Sequence, residues 1–432
     1  MSTLALRGGT VVDAQGSRRA DVVVGDEGTI LAVGSGLTAD HELDAGDCIV
    51  APGLVDLHVH LRQPGNEEAE TIDTGARAAA LGGFTAVVAM PNTDPAMDSV
   101  SVISEVRALG ESAICDVVPS AAISVGRRGE ALAPMAELVR AGVRIFTDDG
   151  AGVQDDKLMR TALDYASSLG HLCPGETIVL AQHCEVESLS KGGYMHEGSW
   201  SSWLGIPGQP SEAEELMVMR DIALCRLTGA RVHFQHMSTA GSISMIRAAK
   251  AAGLPVTAEA ATHHFSLTDA CCQSYDPVYK VHPPLRTDAD VEAVRAGLAD
   301  GTIDAIATDH APHTSKSKQQ TFADAPPGML GLETAFAVAN TYLDMPVDSL
   351  LGAMSWRPAA IAGLNGAHGG PIEEGSMANL AVIDPDAAWT VSAAELASRS
   401  SNTPYEGMAL RGRVRHTIYQ GEAVVIDGVA QR

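Results

Sequence analysis

Two histidines, His58 and His60, sit inside the run Val55-Asp56-Leu57-His58-Val59-His60-Leu61-Arg62. The apolar and β-branched residues of this run read as a buried strand. Alternate residues of a strand point to one side, so both imidazoles aim at the same place. Such a pair is either two packed core histidines or one half of a metal site. The arginine that follows the pair, Arg62, favours the metal. The other ligands must then come from elsewhere in the chain.

The rest of the sequence has the organisation to supply them. Apolar β-like segments recur at about 54–61, 84–90, 113–121, 143–148, 177–185, 230–238, 255–264 and 303–310. Helix-like stretches lie between them, among them Ala69 to Leu81, Ser99 to Leu109 and Ala240 to Ala252. Eight strands each followed by a helix is the count of a (β/α)8 barrel. Both ends of the chain look different. Short strands separated by Gly-rich turns fill residues 1–52, and the same texture returns over 373–432, at Ala378 to Asp384 and Val414 to Val425. We therefore expect a catalytic barrel over 53–372 and a small β-sandwich built from both termini. A chain of 432 residues has room for both.

In a (β/α)8 barrel the chemistry lies at the C-terminal ends of the strands. Those ends carry His58, His60 and Arg62 on the first strand, and Pro91-Asn92-Thr93 on the second. The fourth ends in Thr147-Asp148-Asp149-Gly150, the fifth in His183-Cys184-Glu185 and the sixth in Gln235-His236. The seventh ends in Glu259 to His264 and the eighth in Asp309-His310-Ala311-Pro312-His313. Metal-type residues thus collect at one rim.

Charge narrows the partners. A formal net charge of −25 repels nucleic acid and anionic membrane surfaces. An anionic substrate would need a locally positive site. No apolar run reaches membrane-spanning length, and Met1 to Val12 lack the features of a signal peptide. The seven cysteines form no C-x-x-C pair, which points to reduced thiols and a cytoplasmic setting.

The motifs together resemble a known family. An H-x-H on the first strand, histidines on the fifth and sixth and an aspartate on the eighth resemble the amidohydrolase superfamily. Within it, Asp56 to Gly65, Met90 to Thr93, Phe146 to Gly150, Lys280 to Arg286 and Ala307 to His313 resemble dihydroorotases of the longer, bacterial type. Gly328 to Ala335 and Asn402 to Tyr405 extend the match towards the C-terminus. The resemblance implies a zinc-dependent, reversible hydrolysis of dihydroorotate to N-carbamoyl-aspartate in pyrimidine biosynthesis, with two zinc ions per chain. It implies that His58, His60 and Asp309 hold one ion and that His183 and His236 hold the other, with Asp149 bridging. Asp309 then also serves as the general base and acid. His60, Arg62, Asn92, His282, His313, Pro327 and Gly328 are implied as substrate contacts, Arg62 gripping the carboxylate with its fork of donors. The family resemblance also implies a homodimer, with aspartate carbamoyltransferase as a candidate partner.

Two neighbouring readings compete. Hydantoinases, dihydropyrimidinases and allantoinases bridge their metals with a carbamylated lysine on the fourth strand. Here that strand reads Arg144-Ile145-Phe146-Thr147-Asp148-Asp149, with no lysine. A catalytically silent subunit is the other alternative, but such subunits lose metal ligands and all six are present. The chain departs from the dihydroorotase pattern at Gln63, where glutamate is common, and at His282, where asparagine is usual. Of the remaining candidates, Asp148 should point away from Asp149, Cys184 away from His183, Glu185 towards His183, and His263-His264 should support the ligands by hydrogen bonding. The polar stretch Thr314 to Ala325 reads either as a lid or as a solvated loop.

Overall fold

The computed structural model describes residues 3–173 and 177–432. Met1 and Ser2 of the expected 1–52 segment, and residues 174–176 of the expected 53–372 segment, lie outside the described residues. Eight parallel strands form the centre: β1 (Leu54–Val59), β2 (Phe84–Ala89), β3 (Asp116–Pro119), β4 (Ile145–Phe146), β5 (Val179–Gln182), β6 (Arg231–Phe234), β7 (Val256–Ala261) and β8 (Ala305–Ala307). Continuous ladders join β1 to β2 and β2 to β3, and run from β4 through β8. Single bridges complete the circle, Ala121 to Phe146 between β3 and β4 and Val59 to His310 between β8 and β1. The chain is a closed (β/α)8 barrel.

Every residue of β1 and of β2 is buried, as parallel strands covered by helices must be. The first covering helix, α1 (Ile72–Leu81), begins where the Thr71 side chain accepts from the Thr74 amide. Its inner face is made of small residues, Gly75, Ala76, Ala78, Ala79 and Ala80. They let it lie close on the barrel: a Cβ at Gly75 would come within 2.4 Å of the Leu61 side chain. The helix leaves into β2 through Gly83, whose φ of +84° suits glycine.

Strands from both termini build the second unit. One sheet runs in the order Val429–Ala430, Glu422–Ile426, Ala409–Tyr419, Leu380–Thr390, Ile49–Pro52, Thr10–Asp13, Gly16–Arg19. The facing sheet joins Ile30–Gly34, Asp21–Gly25, Thr3–Arg7 and His41–Asp44. Leu6, Val22, Val24, Ile30, Val50, Val382 and Ile418 pack between them. The single segment expected over Val414 to Val425 is two strands. They turn at Gln420 and Gly421, whose φ values of +49° and +82° suit a tight hairpin. All seven cysteines are free thiols, and no helix among the described residues is long and apolar enough to cross a membrane.

One buried carboxylate ties the ends of the barrel together. Asp56 shares a strand side with His58. It accepts from the Thr308 hydroxyl at 2.5 Å, the Thr308 amide at 3.1 Å and the His58 amide at 3.0 Å. It therefore bonds β1 to the segment after β8, where the ladder itself is only a bridge. Removing it strands three buried donors. We expect Asp56→Ala to lower unfolding free energy by about 3 kcal/mol, read as a shifted denaturant midpoint at unchanged slope.

Candidate active site

The six expected ligands converge at the C-terminal mouth of the barrel. β1 delivers His58 and carries His60 just past its end; Asp149 follows β4, His183 follows β5, His236 follows β6 and Asp309 follows β8. The last two sit where the backbone leaves the strand conformation. His236 has φ +36° and Asp309 φ +47°, and Arg62 beyond His60 has φ +60°. Left-handed backbone is costly for residues with a Cβ and gathers at functional sites. Here it turns side chains across the mouth instead of along the strand.

Asp149 is the centre of the cluster. Its Oδ1 lies 3.2 Å from His58 Nε2, 3.5 Å from His183 Nδ1 and 3.6 Å from His236 Nε2, and its Oδ2 lies 3.5 Å from His60 Nε2. Asp309 Oδ1 lies 3.1 Å from His60 Nε2 and 3.6 Å from His58 Nε2. All six side chains are buried. Burial opposes charge on Asp149, but His58 leads the surrounding imidazoles in holding its carboxyl well below the usual range. Burial likewise opposes a charged His58, and the Asp149 carboxylate nonetheless raises its pKa well above the ordinary value.

This donor set fits a divalent cation. His58, His60 and Asp309 present ligand atoms within 4.8 Å of one another, and so do His58, Asp149 and His236. His58 Nε2 is buried and has no hydrogen-bond partner, although it points into the cluster. Imidazole nitrogens with carboxylate oxygens suit zinc and its neighbours in the first transition row.

The far nitrogens of the histidines are held from behind. His58 Nδ1 lies 2.8 Å from Glu259 Oε1, and Glu259 Oε2 lies 3.0 Å from His233 Nε2. His233 Nδ1 reaches Thr257 Oγ1 at 2.8 Å. The His60 Nδ1–H donates to Asn92 Oδ1 at 2.9 Å, and Glu185 stands 3.8 Å from His183 Nε2. Such partners fix tautomer and ring orientation. Glu259 and His233 had no role in the sequence reading. The only signal was an acid within the otherwise uncharged strand Val256–Ala261.

Five of the six, all but His58, form one wall of a cavity of about 230 Å³, lined also by Arg62, Asn92, Val281, His282, Ala311, His313, Pro327 and Gly328. The structure thus brings every expected contact residue to one space. Arg62 Nε donates to the Pro312 carbonyl at 3.1 Å. His313 gives its Nε2–H to the Pro327 carbonyl at 2.7 Å, and Gly328 gives its N–H to Lys280 at 2.9 Å. Burial, followed by the Arg62 charge, depresses His313 to a pKa of about 3, so it is a neutral ring. Asn402 clamps this wall: its Oδ1 accepts from the His313 amide at 3.1 Å, and its Nδ2 donates to the Ala311 and Gly328 carbonyls at 3.0 and 3.1 Å.

Other expectations divide. Asp148 turns away from the cluster and accepts from the Ile123 and Ser124 amides. Gln63 does not line the cavity; its Oε1 accepts from the Ile72 amide at 3.0 Å, at the start of α1. His263 and His264 do not hydrogen-bond to any ligand. His264 donates to the Pro283 carbonyl at 3.0 Å, and His263 packs against it with ring centroids 4.3 Å apart. The hydrogen-bonding support expected from that pair comes instead from Glu259, earlier on the same strand.

Comparison with known proteins gives the family. A family described as "Dihydro-orotase-like" matches residues 47–242. The chain is 48% identical to a protein named dihydroorotase from Pelotomaculum thermopropionicum, over 99% of each. It is 46% identical to one from Streptomyces coelicolor, again over 99% of each. Among solved structures, an L-hydantoinase (dihydropyrimidinase) from Arthrobacter aurescens superposes with a TM-score of 0.88 over 100% of this chain and 98% of that one. At 23% identity it speaks for the fold alone. At nearly half identity across its whole length, and with its own six-residue cluster at the barrel mouth, the chain belongs to the dihydroorotase family.

Proposed function

We infer that this chain catalyses the reversible hydrolysis of a cyclic amide, dihydroorotate and water giving N-carbamoyl-aspartate, a step of pyrimidine biosynthesis that takes place in the cytoplasm. The observation that carries this is the presence of the histidine–aspartate cluster and the Arg62 guanidinium in one cavity. The first suits amide opening and the second suits a carboxylate. We assign His58, His60 and Asp309 to one zinc ion, His183 and His236 to a second, and Asp149 to the bridge between them. When bound, zinc supplies Lewis acidity towards the carbonyl and lowers the pKa of water to about 7.

The chain's own groups supply the rest. Arg62 binds the substrate carboxylate with the guanidinium nitrogens not given to Pro312. Asn92 adds its Nδ2, since its Oδ1 is held by His60. His313 adds a donor by exchanging the Pro327 carbonyl for the carboxylate. Asp309 is ionised, because the His60 hydrogen bond and neighbouring charges outweigh its burial. It takes the proton from the attacking oxygen and passes it to the ring nitrogen as the C–N bond breaks. In cyclisation it takes the proton from the ureido nitrogen. A neutral hydantoin ring would cover the half-buried Arg62 guanidinium without bringing it a charged partner, which disfavours the cyclic amidase reading. The convergence of all six ligand side chains disfavours a silent subunit. The homodimer and the aspartate carbamoyltransferase partner rest on the family resemblance; sedimentation with and without that enzyme tests both.

Four outcomes are expected. The wild type holds about two zinc ions per chain by elemental analysis and turns over both dihydroorotate and N-carbamoyl-aspartate. Asp309→Ala lowers kcat in both directions by at least about 10²–10⁴-fold, the range of a lost general base. Arg62→Met raises KM for dihydroorotate about 10- to 100-fold, the loss of a charge-assisted contact, without comparable change towards an uncharged hydantoin. Glu259→Gln weakens zinc binding about 10- to 100-fold in a chelator competition, because His58 loses the carboxylate behind it.

A further inference from the structure

His282 is where this cavity departs from the dihydroorotase pattern, and a neighbour from another segment decides what it can do there. Gln209, buried at 1% exposure, lies on the short strand Gly208–Gln209, which pairs with Met195–His196. Its Nε2 is 3.0 Å from the Gly193 carbonyl and 3.1 Å from His282 Nε2. A carbonyl only accepts, so the end of the amide facing Gly193 is the NH₂ group. The second hydrogen of that group points at His282 Nε2, which must therefore accept. A neutral imidazole that accepts at Nε2 carries its proton on Nδ1. Burial keeps the ring neutral, with a pKa depressed to about 4.

The packing also fixes the course of the Gln209 side chain. A Cβ at Gly193 would lie 2.6 Å from Gln209 Cγ, so the two segments touch through a glycine. The Gln209 carbonyl is fixed as well, accepting from Arg286 Nη1 at 3.1 Å and from the Glu197 amide at 2.9 Å.

We propose that Gln209 is a positioning residue that locks His282 in the Nδ1–H tautomer, so that His282 offers the substrate a hydrogen-bond donor only. The partner is then an oxygen of the substrate, a ring carbonyl or the carboxylate, and never a ring N–H. An asparagine at this position offers a donor and an acceptor at once, and has no tautomer to fix. The substitution and its supporting glutamine form one unit. The proposal rests on reading the cavity as the dihydroorotate site.

Two measurements on the zinc-loaded enzyme test it. The first is ¹⁵N NMR of histidine-labelled wild type, assigned with His282→Asn. His282 is expected to show the Nδ1–H pattern; an Nε2–H pattern overturns the proposal. The second is a kinetic double-mutant cycle. Gln209→Met removes the donor at similar volume and is expected to raise KM for dihydroorotate about tenfold, equivalent to about 1.4 kcal/mol, with kcat within about twofold. In the His282→Asn background the same change is expected to move KM less than about twofold. Equal effects in both backgrounds make Gln209 a purely structural residue and overturn the proposal. A wild type with no turnover of dihydroorotate overturns the functional reading instead, and the tautomer result still stands.

Discussion

A single carboxylate with four imidazole nitrogens within 3.6 Å organises the mouth of this barrel. Asp149 is 2% exposed. Moving an ion of that size out of water costs several kcal/mol unless opposite charge and hydrogen bonds offset it. The four histidines are that offset in the protein alone, and a divalent cation is the stronger form of it. Much of the surrounding architecture keeps these groups in place. Five strand ends must stop at one level, and His236 and Asp309 must adopt left-handed backbone to face inward. The Asp56 bonds to Thr308 hold β8 beside β1, so that Asp309 reaches His58 and His60.

Orientation is settled one layer further out. Glu259, Asn92 and Glu185 stand behind His58, His60 and His183 respectively. A histidine ligand whose far nitrogen is held has one tautomer and one ring direction. His236 is the exception. Its Nδ1 is buried without a partner. Its ring is located instead by packing, 5.0 Å from His58 and 4.7 Å from His183 between centroids. The same logic, a far nitrogen bound so that the near one has a single role, recurs at His282 through Gln209.

What the sequence made legible follows from periodicity. The H-x-H pair lies on a strand with a two-residue repeat, so its common direction could be read directly. Alternation also separated Asp148 from Asp149 correctly, although the strand before them is only two residues long. The barrel was legible because apolar runs and helical runs alternate eight times. What was hidden depends on contacts between distant segments. Glu259 meets His58 across 201 positions, and Gln209 meets His282 across 73. No local pattern announces such pairs. The strands Gly16–Arg19 and His41–Asp44 were hidden for a different reason. They read GSRR and HELD, polar edge strands whose stability comes from their neighbours in the sheet and not from an apolar repeat.

The acidic surface and the anionic substrate are reconciled by where the positive charge lies. A net charge of −25 is spread over the whole chain, and salt screens its exposed part beyond about 8 Å at physiological ionic strength. Arg62 is half-buried in the lining of the cavity, and Arg286 and Lys280 are buried. Lys318 is buried enough for its pKa to fall to about 7. Lys280 Nζ donates to the Ala323 and Ala325 carbonyls at 2.7 Å, and Lys318 Nζ donates to those of Pro277 and Pro326 at 2.9 Å. The stretch Thr314 to Ala325 is thus pinned to the segment that carries His282 by two ammonium groups bonded to carbonyls. Neither nitrogen has a carboxylate among these partners; Lys280 leaves positive potential in a region of low dielectric, and Lys318, with its pKa near neutrality, adds only part of a charge at pH 7. An anion entering the cavity meets the Arg62 guanidinium in its lining. A neutral ring would gain nothing from it, and would still have to cover Arg62 without neutralising it. A carboxylate substrate therefore fits a cavity whose wall carries a guanidinium.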